Sequence, residues 1–289
     1  MNRVALTIVV VALAASSGGA TGGNGLPAGF TRIVSGPKGG AVWSGRIPDH
    51  EVRWDRRSSA VYLPPNYDPA RRYPVVYLLH GFPGSPSGFY DSLRLAQVAD
   101  GLIYSHEIRP FIGVMPVAGR VTGKRRREEW TGAWEDYVVR DVVPWTDRMF
   151  STVAAPRGRV IAGLSAGGYG AVDLALRHPR LFGVVESWEG YFKPFRDGSL
   201  AHATKRVLGA HDPSQLVRGE APLLRRRGVT FYLSTGFNHG GIFRKWTFAF
   251  ARELRGLHLH YAVWASKHPD KGAFLRLQLP AALRFAFHF

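Results

Sequence analysis

The chain has no cysteine and only three methionines among its 289 residues. Without thiols there can be no disulfide, no thiolate metal centre, no cysteine nucleophile and no lipidated cysteine. Carboxylates are scarce too: 21 Asp and Glu stand against 38 Lys and Arg, a formal net charge of +17. Beyond the N-terminus no apolar run approaches the roughly 18 residues that a membrane-spanning helix needs. The histidines and carboxylates do not fall into ligand spacings and no nucleotide motif appears, so neither a metal nor a cofactor is expected.

What is present fits one large globular domain. Hydrophobic residues make up 45% of the chain, enough to build one core. Arginine supplies most of the positive charge, alongside abundant Gly and Ala. The runs Lys124-Arg125-Arg126-Arg127 and Arg225-Arg226-Arg227 are short, and Glu128-Glu129 follow the first, so they read as solvated surface. No nucleic-acid partner is expected. Electrostatic association with an anionic cell envelope is the partner class that the charge suggests.

The first 20 residues have a composition of their own. Arg3 is followed by an almost wholly apolar stretch from Val4 to Ala15 and then by small residues. That run is too short to span a bilayer, and the pattern is that of a signal peptide over residues 1–20. Residues 21–29 (TGGNGLPAG) read as a flexible leader, and 30–289 as the mature domain.

From there, apolar runs alternate with amphipathic stretches, the pattern of an α/β domain. Strands are expected at 59–63, 75–79, 111–115, 159–164, 183–187, 229–233 and 258–264. Helices are expected at 91–103, 134–150, 168–178, 243–257 and 273–287. The order implies a mostly parallel sheet with helices on both faces, without a separate lid domain.

Gly163-Leu164-Ser165-Ala166-Gly167 matches G-x-S-x-G. In a chain with 34 glycines the pattern alone is weak; its context carries it. An apolar strand, Val160-Ile161-Ala162, leads in and a helical stretch leads out. Such a turn holds a serine in a strained position that only small neighbours permit, at a helix N-terminus where developing negative charge is favoured. The second element is His80-Gly81-Phe82-Pro83-Gly84, directly after the strand ending at Leu79. In the α/β-hydrolase fold this loop supplies half of an oxyanion hole, so the backbone N–H groups of Phe82 and Ala166 are the expected donors. His80, which precedes that loop, reads as structural. The fold's chain order is serine, acid, histidine, so the base is sought late among the eleven histidines. His258 and His260 fall in a strand pattern and His288 at the terminus; His268, between the last strand and the last helix, is the expected base.

These residues bring a resemblance with them. The runs VYLPPNYDPARRYPVVYLLHGFPG and GLSAGGYGAVDLALRHPRLFGVVESWEGYF, and the His268 segment with LPAALRFAF, resemble an esterase family. That family includes esterase D, the enterochelin and feruloyl esterases and the secreted mycolyltransferases. The resemblance covers residues 55–287 and implies an α/β-hydrolase acting on a carboxylic ester through Ser165 and His268. The ester would be that of a small molecule or a glycolipid. Hydrolysis through an acyl-enzyme is the leading activity. An acyltransferase handing the acyl group to a carbohydrate or glycolipid hydroxyl, and a catalytically silent envelope-binding relative, are the alternatives.

The chain departs from the family at the acid. Relatives carry an Asp just past the strand that is 229–233 here, but residues 234–241 (STGFNHGG) hold no carboxylate. From Val229 to Lys267 the only acidic residue is Glu253, inside a helical pattern. The neighbouring strand ends in Glu186-Ser187-Trp188-Glu189, and relatives tend to read ESWSGYF there. Glu186 is then a shared structural residue, and Glu189 the candidate acid for His268. N-terminal sequencing of exported protein is expected to begin between Ala15 and Thr21; Met1 on protein isolated from the cytosol would contradict it.

Overall fold

In the computed structural model, residues 21–22, 26–50, 58–118, 130–236, 241–266 and 271–287 are described. The expected signal peptide, His268, and Asn238 and His239 lie outside them. Part of the expected leader is structured: β1 (Thr21–Gly22) and β2 (Leu26–Pro27) pair antiparallel, and Leu26 is buried in the core.

The elements that follow are β3 (Thr31–Ser35), β4 (Ala41–Gly45), β5 (Ser59–Leu63), β6 (Val75–Leu79), α1 (Leu95–Tyr104) and β7 (Ile112–Met115). Next, α2 (Ala133–Asp136) passes through a wider π turn over 137–142 into α3 (Val143–Met149). Then come β8 (Arg159–Leu164), α4 (Ala166–Arg177), β9 (Val184–Trp188), α5 (Lys205–Gly209), α6 (Pro213–Arg227) and β10 (Thr230–Thr235). The chain closes with α7 (Ile242–Gly256), β11 (His260–Ala265) and α8 (Lys271–Phe287). Among the described residues no helix is long and apolar enough to cross a membrane.

Nine strands form one sheet in the order β11-β10-β9-β8-β6-β7-β5-β4-β3. The first six run parallel; β5, β4 and β3 extend the sheet antiparallel. Strand β6 shows why the sheet is covered twice. Val75, Tyr77 and Leu79 point into the core under α3, α4, α6 and α7, while Val76 and Leu78 point into the core under α1 and α8. All five are buried, so the run reads as continuously apolar rather than alternating.

β6 and β8 have the bounds expected from sequence, and the helix expected at 168–178 begins two residues earlier. Two features were not expected. β3 and β4 are a short antiparallel pair, with β3 largely exposed at the sheet edge. The polar excursion before β10 contains α6, started by an Asp212 side chain that accepts from Ser214 N and Gln215 N, with Pro213 at the first turn.

Glu186 sits in mid-strand, fully buried, on the face covered by α8. Its Oε2 accepts from Trp188 Nε1 at 2.9 Å, whereas Oε1 has no partner among the described residues. Burial pushes this carboxyl well above the usual carboxylate range, the Trp188 bond opposing it only in part. The raised value fixes the sign of the pH effect. As pH climbs from the ordinary glutamate value towards the folded one, the unfolded chain loses its proton first, and stability falls by about 1.4 kcal/mol per pH unit. Glu186→Gln keeps a neutral side chain with an acceptor for Trp188. Denaturant titrations at several pH values are expected to show a fall steeper by this slope in the parent than in the variant; equal slopes would contradict it.

Candidate active site

Ser165 stands between the end of β8 and the start of α4, at φ 56° and ψ −114°. That backbone conformation is costly for any residue with a Cβ, so the surroundings must impose it. They do so through close packing: a Cβ on Gly167 would overlap the Leu79 carbonyl of β6, and one on Gly163 would overlap the Gly167 backbone. Ser165 N donates to Trp188 O at 2.8 Å, and Tyr169 N donates back to Ser165 O at 3.0 Å. The serine is thus tied to the end of β9 on one side and to the first turn of α4 on the other.

The loop after β6 closes over it. A Cβ on Gly81 would come within 2.9 Å of Leu164 O and 3.2 Å of Ser165 Cβ. Phe82, Gly84, Ser85, Ser87 and Phe89 join Ser165 around a cavity of about 320 Å³. A larger hollow of about 570 Å³, between α6 and α7, is lined by residues such as Arg218, Trp246 and Glu253 and lies apart from the serine. His80 is buried, with Nδ1 2.9 Å from Gly81 O and Nε2 accepting from Ala118 N at 3.1 Å. Both ring nitrogens are engaged with backbone, as a structural histidine requires.

On the far side of Ala166 stands a wall of aromatic rings. Tyr169 stacks on Tyr191 at 5.0 Å, and Tyr191 meets Phe195 and Phe243 at 4.7 and 5.9 Å; Trp246 packs on the last two. The wall joins α4, the segment after β9 and α7, so no local sequence pattern announces it. Behind it, Tyr169 Oη donates to His211 O at 2.7 Å, and His211 Nδ1 lies 2.8 Å from Asp173 Oδ2. Burial raises the Asp173 carboxyl, with the His211 hydrogen bond opposing. This pair fastens α4 to the connection before α6.

Glu189 follows directly on the residue that holds Ser165. It is 1% exposed and has φ 51°, a left-handed conformation rare for glutamate. Its N–H donates to Ser234 O at 2.9 Å, and its Oε1 accepts from Gly236 N at the end of β10. Oε2 is buried without a partner among the described residues. The carboxylate is therefore held by the end of the neighbouring strand β10. Glu253, by contrast, pairs with Arg218 at 2.5 Å on α7. The sequence marks Glu189 as a carboxylate; its backbone conformation and the Gly236 contact arise only from the juxtaposition of β9 and β10.

The Putative esterase family model matches residues 53–274, most of the chain. Esterase MT1326 of Mycobacterium tuberculosis is 30% identical over 165 residues, covering 55% of this chain and 34% of that protein. An endo-1,4-beta-xylanase/feruloyl esterase of Xylanibacter ruminicola is 32% identical over 139 residues, covering 44% of this chain and 18% of that protein. The chain thus spans about a third or less of these two relatives. Among solved structures, a ferulic acid esterase superposes with a TM-score of 0.74 at 20% identity, covering 86% of this chain and 98% of that one. An S-formylglutathione hydrolase from Agrobacterium tumefaciens gives 0.67 at 17% identity, covering 89% and 98%. With its sheet order, its strained serine turn and this family match, the chain belongs to the esterase family of the α/β-hydrolase fold.

Proposed function

We propose that the protein is an exported serine esterase that cleaves a carboxylic ester through an acyl-enzyme on Ser165. The observation that carries the reading is the strained Ser165 at the head of α4, opening into the cavity roofed by the Phe82 loop. His268 serves as base and Glu189 as the residue that positions it.

Ser165 Oγ adds to the ester carbonyl carbon while His268 takes the hydroxyl proton. The oxyanion so formed accepts from the N–H groups of Ala166 and Phe82, each donor contributing about 3 kcal/mol to the transition state. Collapse breaks the bond to the alcohol oxygen, which leaves with the proton from His268. Water then adds to the acyl-enzyme by the same route, releasing the acid and restoring Ser165. Glu189 bears on both steps through the imidazolium. With Oε1 anchored by Gly236 N, Oε2, which has no partner among the described residues, is the atom available to fix the tautomer and to offset the charge.

Ser165→Ala is expected to leave the circular dichroism unchanged and to abolish both ester turnover and labelling by a fluorophosphonate. Labelling that survives the change would overturn the reading. Glu189→Gln is expected to lower kcat by up to about 10⁴ with little change in KM. It also moves the acidic limb of the pH profile to lower pH, because the imidazolium loses its counter-charge, and Glu189→Asp recovers part of the rate. Near-normal turnover of Glu189→Gln, with Asn238→Ala or Glu253→Gln strongly impaired, would assign the acid elsewhere. Product analysis with and without an added carbohydrate acceptor checks the hydrolytic outcome, since a transferase would divert acyl groups to the sugar.

A further inference from the structure

The six parallel strands share one direction, so their C-terminal ends form one edge of the sheet and their N-terminal ends the other. Ser165 and Glu189 occupy the first edge. The second carries an exposed arginine ahead of every strand: Arg71 before β6, Arg109 before β7, Arg157 before β8, Arg180 before β9, Arg226 before β10 and Arg255 before β11. Six strands at a spacing of about 4.8 Å distribute this charge over a width of roughly 24 Å.

Helix electrostatics account for only part of the row. Arg226 and Arg255 lie in the last turns of α6 and α7, where a cation favours the carbonyl end. Arg157 falls in a single 3-10 turn, Pro156–Gly158, and Arg71, Arg109 and Arg180 stand in connections outside any helix. Of the nearby carboxylates, Glu107 is held by Arg284 at 2.7 Å, while Asp68, in the same turn as Arg71, offsets that one arginine.

The same edge carries an amphipathic ring. The hairpin joining β3 to β4 turns there, and Lys38 Nζ lies 4.0 Å over the ring of Tyr104, which ends α1 and is 66% exposed. With a cation on one face, this ring is poorly placed to stack on a nucleobase. An exposed Tyr with a Lys ammonium over its ring suits the headgroup level of a bilayer. The charges come from the residues that precede six separate strands along a broad edge, not from one groove-filling element.

We propose that this edge docks on an anionic phospholipid bilayer, leaving the Ser165 edge turned towards water. The inference is independent of the catalytic reading, since none of its residues adjoins the serine cavity. The test is co-sedimentation of the full chain with vesicles of phosphatidylglycerol and phosphatidylcholine, compared with phosphatidylcholine alone. Binding is expected only to the anionic vesicles. The triple change Arg157→Gln, Arg180→Gln, Arg226→Gln lowers the partition coefficient by about a hundredfold, at about one surface-potential increment per arginine removed. The corresponding lysine triple retains binding, and turnover of a soluble ester is the same in all three proteins. Equal binding to neutral vesicles, undiminished binding by the glutamine triple, or displacement from vesicles by duplex DNA at equal phosphate concentration would overturn the proposal.

Discussion

The geometry of the serine turn depends on one backbone contact between neighbouring strands. The Leu79 carbonyl at the end of β6 occupies the space that a side chain at residue 167 would need, and Gly167 lets α4 start against it. With Gly163 equally crowded by Gly167, the chain can leave β8 only by a sharp turn at residue 165. The positive φ of Ser165 is the result. The first N–H groups of α4 are thereby aimed past the serine, so the same constraint that strains the residue also furnishes a region of positive potential beside it.

The second joint is the end of β9. Trp188 gives its carbonyl to Ser165 and its indole N–H to Glu186, and the next residue turns left-handed to seat a carboxylate against β10. Three adjacent strand ends are thereby coupled. Ser165 on β8, Glu189 on β9 and Gly236 on β10 are linked by backbone hydrogen bonds and one carboxylate contact, not by flexible side chains. The Glu189 carboxylate, carried by β9, is tied to the end of β10 through Gly236.

Much of this was legible in the sequence, for identifiable reasons. Fully buried parallel strands are uninterrupted apolar runs, so β6 and β8 could be bounded to the residue, and the glycines around Ser165 marked a turn between them. Strand β3 was not legible because it is an edge strand with four exposed residues of five and no apolar face to repeat. Helix α6 was hidden by its polar composition and by Pro222 within it. The aromatic wall and the Gly236 contact to Glu189 join residues from separate elements and leave no periodic trace. Glu189 itself stood out only because the chain lacks a carboxylate where relatives have one.

The pairing of Leu79 with Gly163 also bears on how the molecule folds. The strands β6 and β8 are sheet neighbours, yet α1, β7, α2 and α3 lie between them in the chain. Closing so long an intervening stretch costs entropy before any contact repays it, which makes this ladder one of the slower pairings to form. Helices α1 and α4 can acquire secondary structure locally, but the strained serine cannot exist until the two strands are in register. The strained conformation at residue 165 therefore marks completion of the central sheet. During refolding this turn would form after far-ultraviolet ellipticity has recovered, together with the burial of Tyr77 in mid-strand.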